Sequence, residues 1–324
     1  MTAPSRILLV KPSALGDVIQ ALPVATGLKR QWPQARIDWI INDAYQDLLV
    51  GHPAIDRLVL YPRRRWKTPL CLPEVWRWAR DLRQQQYDLV IDLQGLLRSG
   101  LMTAATKAPR RIGLASAREG ARHFYTERID DYPLAAAERY LCALEHLGIA
   151  PQRFDFQLKP TAPLPEPLAG RTGRYIVLHP YSRWHTKLWP WRNYQTLINQ
   201  MPQQHFVLLG EGPWFPIEGE NLTDLRGTLS LTTLMTVLAN AQAVLSTDSG
   251  PAHLAAALEA PTLVLFGATD WHRTKPAGRK VKVLTHDVFC APCLKRRCYR
   301  DVPMECLTGI SPETVANQLS ILLR

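Results

Sequence analysis

Short apolar runs rich in Val, Ile and Leu alternate with stretches of helical apolar spacing in two successive series along this chain, and a proline-rich interval separates the series. An apolar run of roughly four to eight residues bounded by turn signals fits a strand buried on both faces, and helices that cross back over a sheet join such strands in parallel. The pattern therefore predicts two α/β units, each a parallel sheet wrapped by helices. In the first series the strands fall at 6–10, 36–41, 57–61, 88–93 and 110–114, with amphipathic helices at 17–32, 73–86 and 135–147. In the second they fall at 175–179, 205–210, 243–247 and 261–266, and a helical pattern at 311–323 closes the chain.

Prolines 151, 160, 163, 165 and 167 oppose a helix or a central strand in the interval. The expected organisation is a first domain at 1–150, a linker at 151–172 and a second domain at 173–324, whose final helix packs back on the first domain. A length of 324 residues suits two domains. In doubly wound sheets, ligands bind beyond the carboxyl ends of the strands. No run approaches the roughly 20 apolar residues of a membrane span, and no secretory leader is expected.

A net charge of +11 draws the chain toward nucleic acid, anionic lipid or phosphorylated substrates. The first half holds two dense knots: Arg63, Arg64, Arg65 and Lys67, then Arg110, Arg111, Arg118 and Arg122. Each knot is read either as a solvated charge run or as an anion-binding surface. No nucleic-acid-binding motif accompanies them, so a nucleic-acid partner is not expected.

Three loops carry residues suited to chemistry. The first strand runs into Lys11-Pro12-Ser13-Ala14-Leu15-Gly16-Asp17, which places a carboxylate at a helix N-terminus, either as a cap or as a general base. After the strand at 175–179, Ser182 and Lys187 lie in a loop where they are either solvated or in position to grip a diphosphate. After the strand at 243–247, Asp248-Ser249-Gly250-Pro251-Ala252-His253 opens a helix whose amides favour a phosphate, with a plain capped helix as the alternative.

Taken in order, the motifs resemble those of the bacterial lipopolysaccharide heptosyltransferase family. The matching phrases are Lys11-Pro12-Ser13-Ala14-Leu15-Gly16-Asp17-Val18, Asp92-Leu93-Gln94-Gly95-Leu96-Leu97-Arg98-Ser99, Ala117-Arg118-Glu119, Lys187-Leu188-Trp189-Pro190, and Thr247-Asp248-Ser249-Gly250 ending in His253. The Arg-rich knot ending in Arg65-Trp66 points within that family to the inner-core enzymes. The resemblance implies a GT-B architecture, two Rossmann-like domains whose parallel sheets face one another across a cleft. It also implies an inverting, metal-independent transfer of heptose from ADP-heptose to a Kdo residue of a lipid A-type acceptor.

By position, the resemblance makes Asp17 the general base and Lys187 the group that neutralises the diphosphate. It places the donor on Ser182, Lys187, Asp248, Ser249, Gly250 and His253, and the acceptor on Arg63, Arg64, Lys67 and Arg118. The family's ribose-binding glutamate has no clear counterpart, which leaves Glu211, Glu218 or neither. The implied location is cytoplasmic, peripheral to the inner membrane. Related alternatives are another sugar nucleotide or a protein acceptor.

Cys290, Cys293, Cys298 and Cys306 crowd into one short segment. Four thiols so spaced suit a tetrahedral zinc or iron site, and the expectation is a structural metal with no part in catalysis.

Overall fold

The computed structural model describes residues 3–68, 71–131 and 135–323, the side chain of Lys67 excepted. It divides into two compact units, Met1–Gln157 and Leu158–Arg324. The first unit builds β1 (Arg6–Val10), α1 (Leu15–Gln31), β2 (Arg36–Asn42), β3 (Arg57–Tyr61), α2 (Leu72–Gln84), β4 (Leu89–Asp92), α3 (Leu97–Ala105), β5 (Arg110–Leu114), β6 (Glu127–Ile129) and α4 (Ala136–His146). Its sheet runs β3-β2-β1-β4-β5-β6, with every neighbour parallel.

The second unit repeats the plan with β7 (Ile176–His179), α5 (Trp191–Gln200), β8 (Phe206–Leu208), β9 (Leu222–Asp224), α6 (Leu231–Ala239), β10 (Ala243–Thr247), α7 (Gly250–Ala257), β11 (Thr262–Phe266), α8 (Trp271–Thr274), β12 (Val281–Thr285), α9 (Glu305–Thr308) and α10 (Pro312–Leu322). Its sheet, β12-β11-β10-β7-β8-β9, is also parallel throughout. Counted from the first strand of each unit, both sheets have the Rossmann order 3-2-1-4-5-6.

The apolar runs become the central strands because those strands are covered on both faces. Residues 7–10 of β1 and all of β4, β7, β10 and β11 are buried. The edge strands β6, β9 and β12 escape the sequence pattern because they are short or half-exposed and lack a continuous apolar run. Helix α1 begins two residues before the expected position, with Ala14 at its N-cap and Asp17 in its first turn.

The closing helix docks within its own unit, on α5 and β10. Val315 and Leu319 enter the core formed by Ile176, Leu178, Leu197 and Leu245. Trp189 Nε1 donates to Ile310 O at 2.9 Å and ties the approach to α10 to the same core. Ile321, by contrast, is 50% exposed.

Full burial of such side chains contributes about 1.5–3 kcal/mol each. Leu319→Ala should therefore lower the unfolding free energy by about 2–5 kcal/mol in urea titration, whereas Ile321→Ala should cost under about 0.5 kcal/mol. Equal effects would contradict this docking.

Candidate functional site

Parallel strands put all their carboxyl ends on one edge of a sheet, and the strand order of each unit reverses direction at its centre. In the first unit that switch point lies between β1 and β4, and in the second between β7 and β10. The loops singled out in the sequence leave the sheets at these two points.

Beyond β1, the chain carries Lys11 inward. It is 2% exposed, its Nζ donates to Leu93 O at 3.1 Å, and the ammonium lies 4.6 Å from the centre of the Tyr140 ring. Burial pulls its pKa below the usual lysine range, partly offset by the charges of Asp17 and Asp92. Asp17 remains half-buried on the first turn of α1. Its Oδ1 accepts from the Tyr140 hydroxyl at 3.0 Å, and its Oδ2 accepts from the Ala14 amide at 3.3 Å. Tyr140 is buried on α4, and burial, then the Asp17 charge, pushes its phenol well above the ordinary range, so it stays a proton donor to the carboxylate.

The segment after β4 shapes this loop. Buried Asp92 accepts from the amides of Gln94 (2.8 Å) and Gly95 (3.0 Å) and from the Tyr125 hydroxyl (2.7 Å), while burial raises its own pKa. Gly95 has φ +67°, and a Cβ there would sit 3.2 Å from Ala117 Cα, so the turn requires glycine. Gln94 Oε1 then accepts from the Ser13 amide at 3.2 Å and joins this turn to the Asp17 loop. Gly95 O in turn receives the Arg118 amide at 2.8 Å.

Arg63, Arg64 and Arg118 are exposed and follow β3 and β5, at the carboxyl edge that also carries Asp17. Arg98 joins them: its guanidinium donates to the Tyr61 hydroxyl at 3.3 Å. The Lys67 side chain lies outside the described residues.

In the second unit, Lys187 and Asp248 meet. Lys187 Nζ donates to Asp248 Oδ2 at 2.6 Å, with the two side chains 18% and 7% exposed. The same carboxylate oxygen accepts from Thr269 Oγ1 at 2.7 Å, and Ser182 Oγ donates to Asp248 O at 3.1 Å. Neither Asp248 nor Ser249 acts as a plain cap. Ser249 occupies the N-cap of α7 without capping it through its side chain, and its Oγ lies 3.2 Å from His179 Nδ1 and 3.1 Å from Ser246 Oγ. Gly250 opens α7 and His253 sits one turn in.

The sequence reading missed Tyr140 and His179. Tyr140 is 123 residues from its carboxylate partner and looks like an ordinary core position of an amphipathic helix. His179 ends a wholly buried strand, and a histidine there was the available signal. Glu211 follows β8 at the carboxyl edge, whereas the backbone of Glu218 is held by Gln195 of α5.

The expected metal centre is not seen as a formed site among the described residues. Cys290, Cys293, Cys298 and Cys306 do line one cavity of about 20 Å³, together with Arg300 and Glu305. Among the described residues, however, no group of three or more His, Cys, Asp or Glu side chains is placed to hold a metal ion. Two of the sulfurs have other close neighbours. Cys298 Sγ accepts the Met304 amide at 3.3 Å, which lowers its pKa, and buried Cys306 packs so closely on Gly267 that a Cβ there would lie 2.8 Å from its sulfur. Burial, with the other three cysteines adding to it, pushes the Cys306 thiol up to about 11. The segment is docked by its own hydrogen bonds, Leu294 N to Ala268 O at 2.8 Å and Thr186 Oγ1 to Lys295 O at 2.6 Å. The second of these braces the turn that carries Lys187.

Residues 75–302 match the sequence profile of Glycosyltransferase family 9 (heptosyltransferase). The chain is 33% identical to lipopolysaccharide heptosyltransferase 1 of Pseudomonas aeruginosa, over 98% of each chain. It is similar to the Escherichia coli heptosyltransferase WaaC solved with ADP, at 24% identity and a TM-score of 0.80, covering 98% of this chain and 99% of that one. The same enzyme solved with ADP-2-deoxy-2-fluoro heptose gives 25% identity and a TM-score of 0.74 over the same shares. With its two Rossmann sheets, the chain has the GT-B fold.

Burial lowers the pKa of His179 from 6.5 to about 4. Unfolded His179 therefore takes up its proton first as pH falls, and the stability that comes from holding it neutral, fully present above about 6.5, is lost toward 4. His179→Asn should flatten the dependence of unfolding free energy on pH across that window, measured by urea titration at stepped pH. An unchanged slope would remove His179 as its cause.

Proposed function

The chain belongs to glycosyltransferase family 9, the heptosyltransferases, and from that membership we propose that it moves heptose from ADP-heptose to a Kdo residue of the lipopolysaccharide inner core, with inversion at the anomeric carbon. It is a glycosyltransferase; donor, acceptor and stereochemistry are what the proposal adds. The observation that carries it is the Asp17 carboxylate, half-buried at the β1–β4 switch point, oriented by Tyr140 and beside a carboxyl edge rich in exposed arginines.

Asp17 takes the proton of the acceptor hydroxyl as that oxygen attacks the anomeric carbon, and the bond from that carbon to the diphosphate oxygen breaks with its electrons leaving on ADP. One base suffices for an inverting displacement. The departing negative charge falls to Lys187, whose ammonium has three donors and can keep Asp248 while meeting a phosphate oxygen. The amides that open α7 at Ser249 and Gly250 add fixed positive potential, and His253 completes the donor subsite. Asp248, with Ser182 beside it, receives heptose hydroxyls. Glu211, at the carboxyl end of β8, is the candidate for the ribose.

Arg63, Arg64, Lys67 and Arg118 would hold the carboxylates and phosphates of the acceptor, which suits guanidinium forks. No helix among the described residues is long and apolar enough to cross a membrane. The proposed place of work is the cytoplasmic face of the inner membrane, with peripheral contact. No step requires a metal ion.

Asp17→Asn should abolish transfer, a fall of at least about a thousandfold in kcat, while the Kd for ADP-heptose stays within about twofold. Full activity in that variant would return Asp17 to a structural role in the first turn of α1. Lys187→Ala should weaken donor binding and slow turnover by at least about tenfold, read from initial rates of ADP release. Unchanged kinetics would remove Lys187 from the reaction.

A further inference from the structure

Helix α2 is anchored on one side only. Leu82 is buried, Trp78 packs on the first unit's core, and Trp78 Nε1 donates to Leu60 O at 2.9 Å. Trp66 stands edge-on between Tyr61 and Trp78, each pair of ring centres 5.4 Å apart. Arg65 bonds Glu74 at 2.7 Å and ties the start of the helix to the basic turn before it. The helix is thereby fixed in rotation, and its outer face is defined.

That face combines two features that seldom share a solvated surface. Leu72 and Trp76, one turn apart, are 57% and 73% exposed. Continuing the same stripe at helical spacing come Arg80 and Arg83, both exposed, with Arg77 on the flank. A lone exposed apolar residue needs no explanation, but an exposed Trp–Leu pair heading a row of arginines has the composition of a helix lying in a lipid interface. Residues 63–84 carry seven Lys and Arg against two acids, one of which is Glu74, already paired with Arg65.

We infer that the outer face of α2, with the arginine turn before it, docks on an anionic lipid bilayer. Trp76 and Leu72 enter the boundary between headgroups and acyl chains, while Arg77, Arg80 and Arg83 stay among the phosphates, where their long stems let the charge remain wet. The inference deepens the proposed function and rests on it in one respect: a Kdo–lipid acceptor resides in a bilayer, and the docking surface adjoins the arginines proposed to hold it.

Flotation with vesicles tests this directly. Wild-type protein should bind phosphatidylcholine vesicles containing about 30 mol % phosphatidylglycerol and release as salt rises from about 50 to about 500 mM. Vesicles of phosphatidylcholine alone should bind at least about tenfold less. The double variant Leu72→Ser/Trp76→Ala and the double variant Arg80→Ser/Arg83→Ser should each lose at least about tenfold in partition, with unchanged circular dichroism and melting temperature. Both should keep wild-type transfer to a de-acylated Kdo acceptor in solution.

Failure of the wild type to bind anionic vesicles would overturn the inference, as would equal binding by the variants. A concentration-dependent dimer that Trp76→Ala abolishes would assign the face to a second copy of the chain instead. Protein that binds these vesicles through α2 yet transfers no heptose would uphold the docking surface and defeat the proposed activity.

Discussion

Where this chain can do chemistry is decided by the parting of neighbouring parallel strands beyond their last shared hydrogen bonds. β1 and β4 separate after Val10 pairs with Asp92, and β7 and β10 separate after His179 lines up with Ser246. At each point the polypeptide turns to opposite faces of its sheet, leaving backbone and side chains directed at open space. The first unit uses that space for a carboxylate with a buried lysine and tyrosine behind it. The second uses it for a lysine–aspartate pair beside the start of a helix. Two copies of one topology thus present different groups, a carboxylate in one and a lysine–aspartate pair in the other.

Much of this was legible in the sequence because buried parallel strands leave a continuous apolar trace and the loops that follow them are found by position. The central strands could be read so, and Asp17, Lys187, Asp248 and Ser249 could be placed at the correct ends of them. Their partners could not. The bond from Tyr140 to Asp17 spans α1 and α4, and nothing local to Tyr140 distinguishes a positioning hydroxyl from a core aromatic. The pairing of Lys187 with Asp248 needs β7 and β10 side by side, a fact of sheet order rather than of spacing.

The cysteine segment shows the converse limit. Thiol spacing is a local quantity, and it correctly brings four cysteines to one cavity. What it omits is the rest of the surroundings: the Met304 amide that donates to Cys298, and the close approach of Gly267 to Cys306. The segment holds its place through backbone contacts with Ala268 and through Thr186, and so it supports the turn that presents Lys187. Charge was legible in amount and in rough position, while its concentration on one sheet edge and along α2 emerged only with the fold.

The central proposal is that donor cleavage requires an acceptor hydroxyl that a base can deprotonate. The most direct measurement follows ADP release from ADP-heptose with and without a Kdo–lipid acceptor, with the anomeric configuration of the product read by NMR. The expected result is release that depends on the acceptor and a product of inverted configuration. Release at the same rate without acceptor, or a product of retained configuration, would contradict the account.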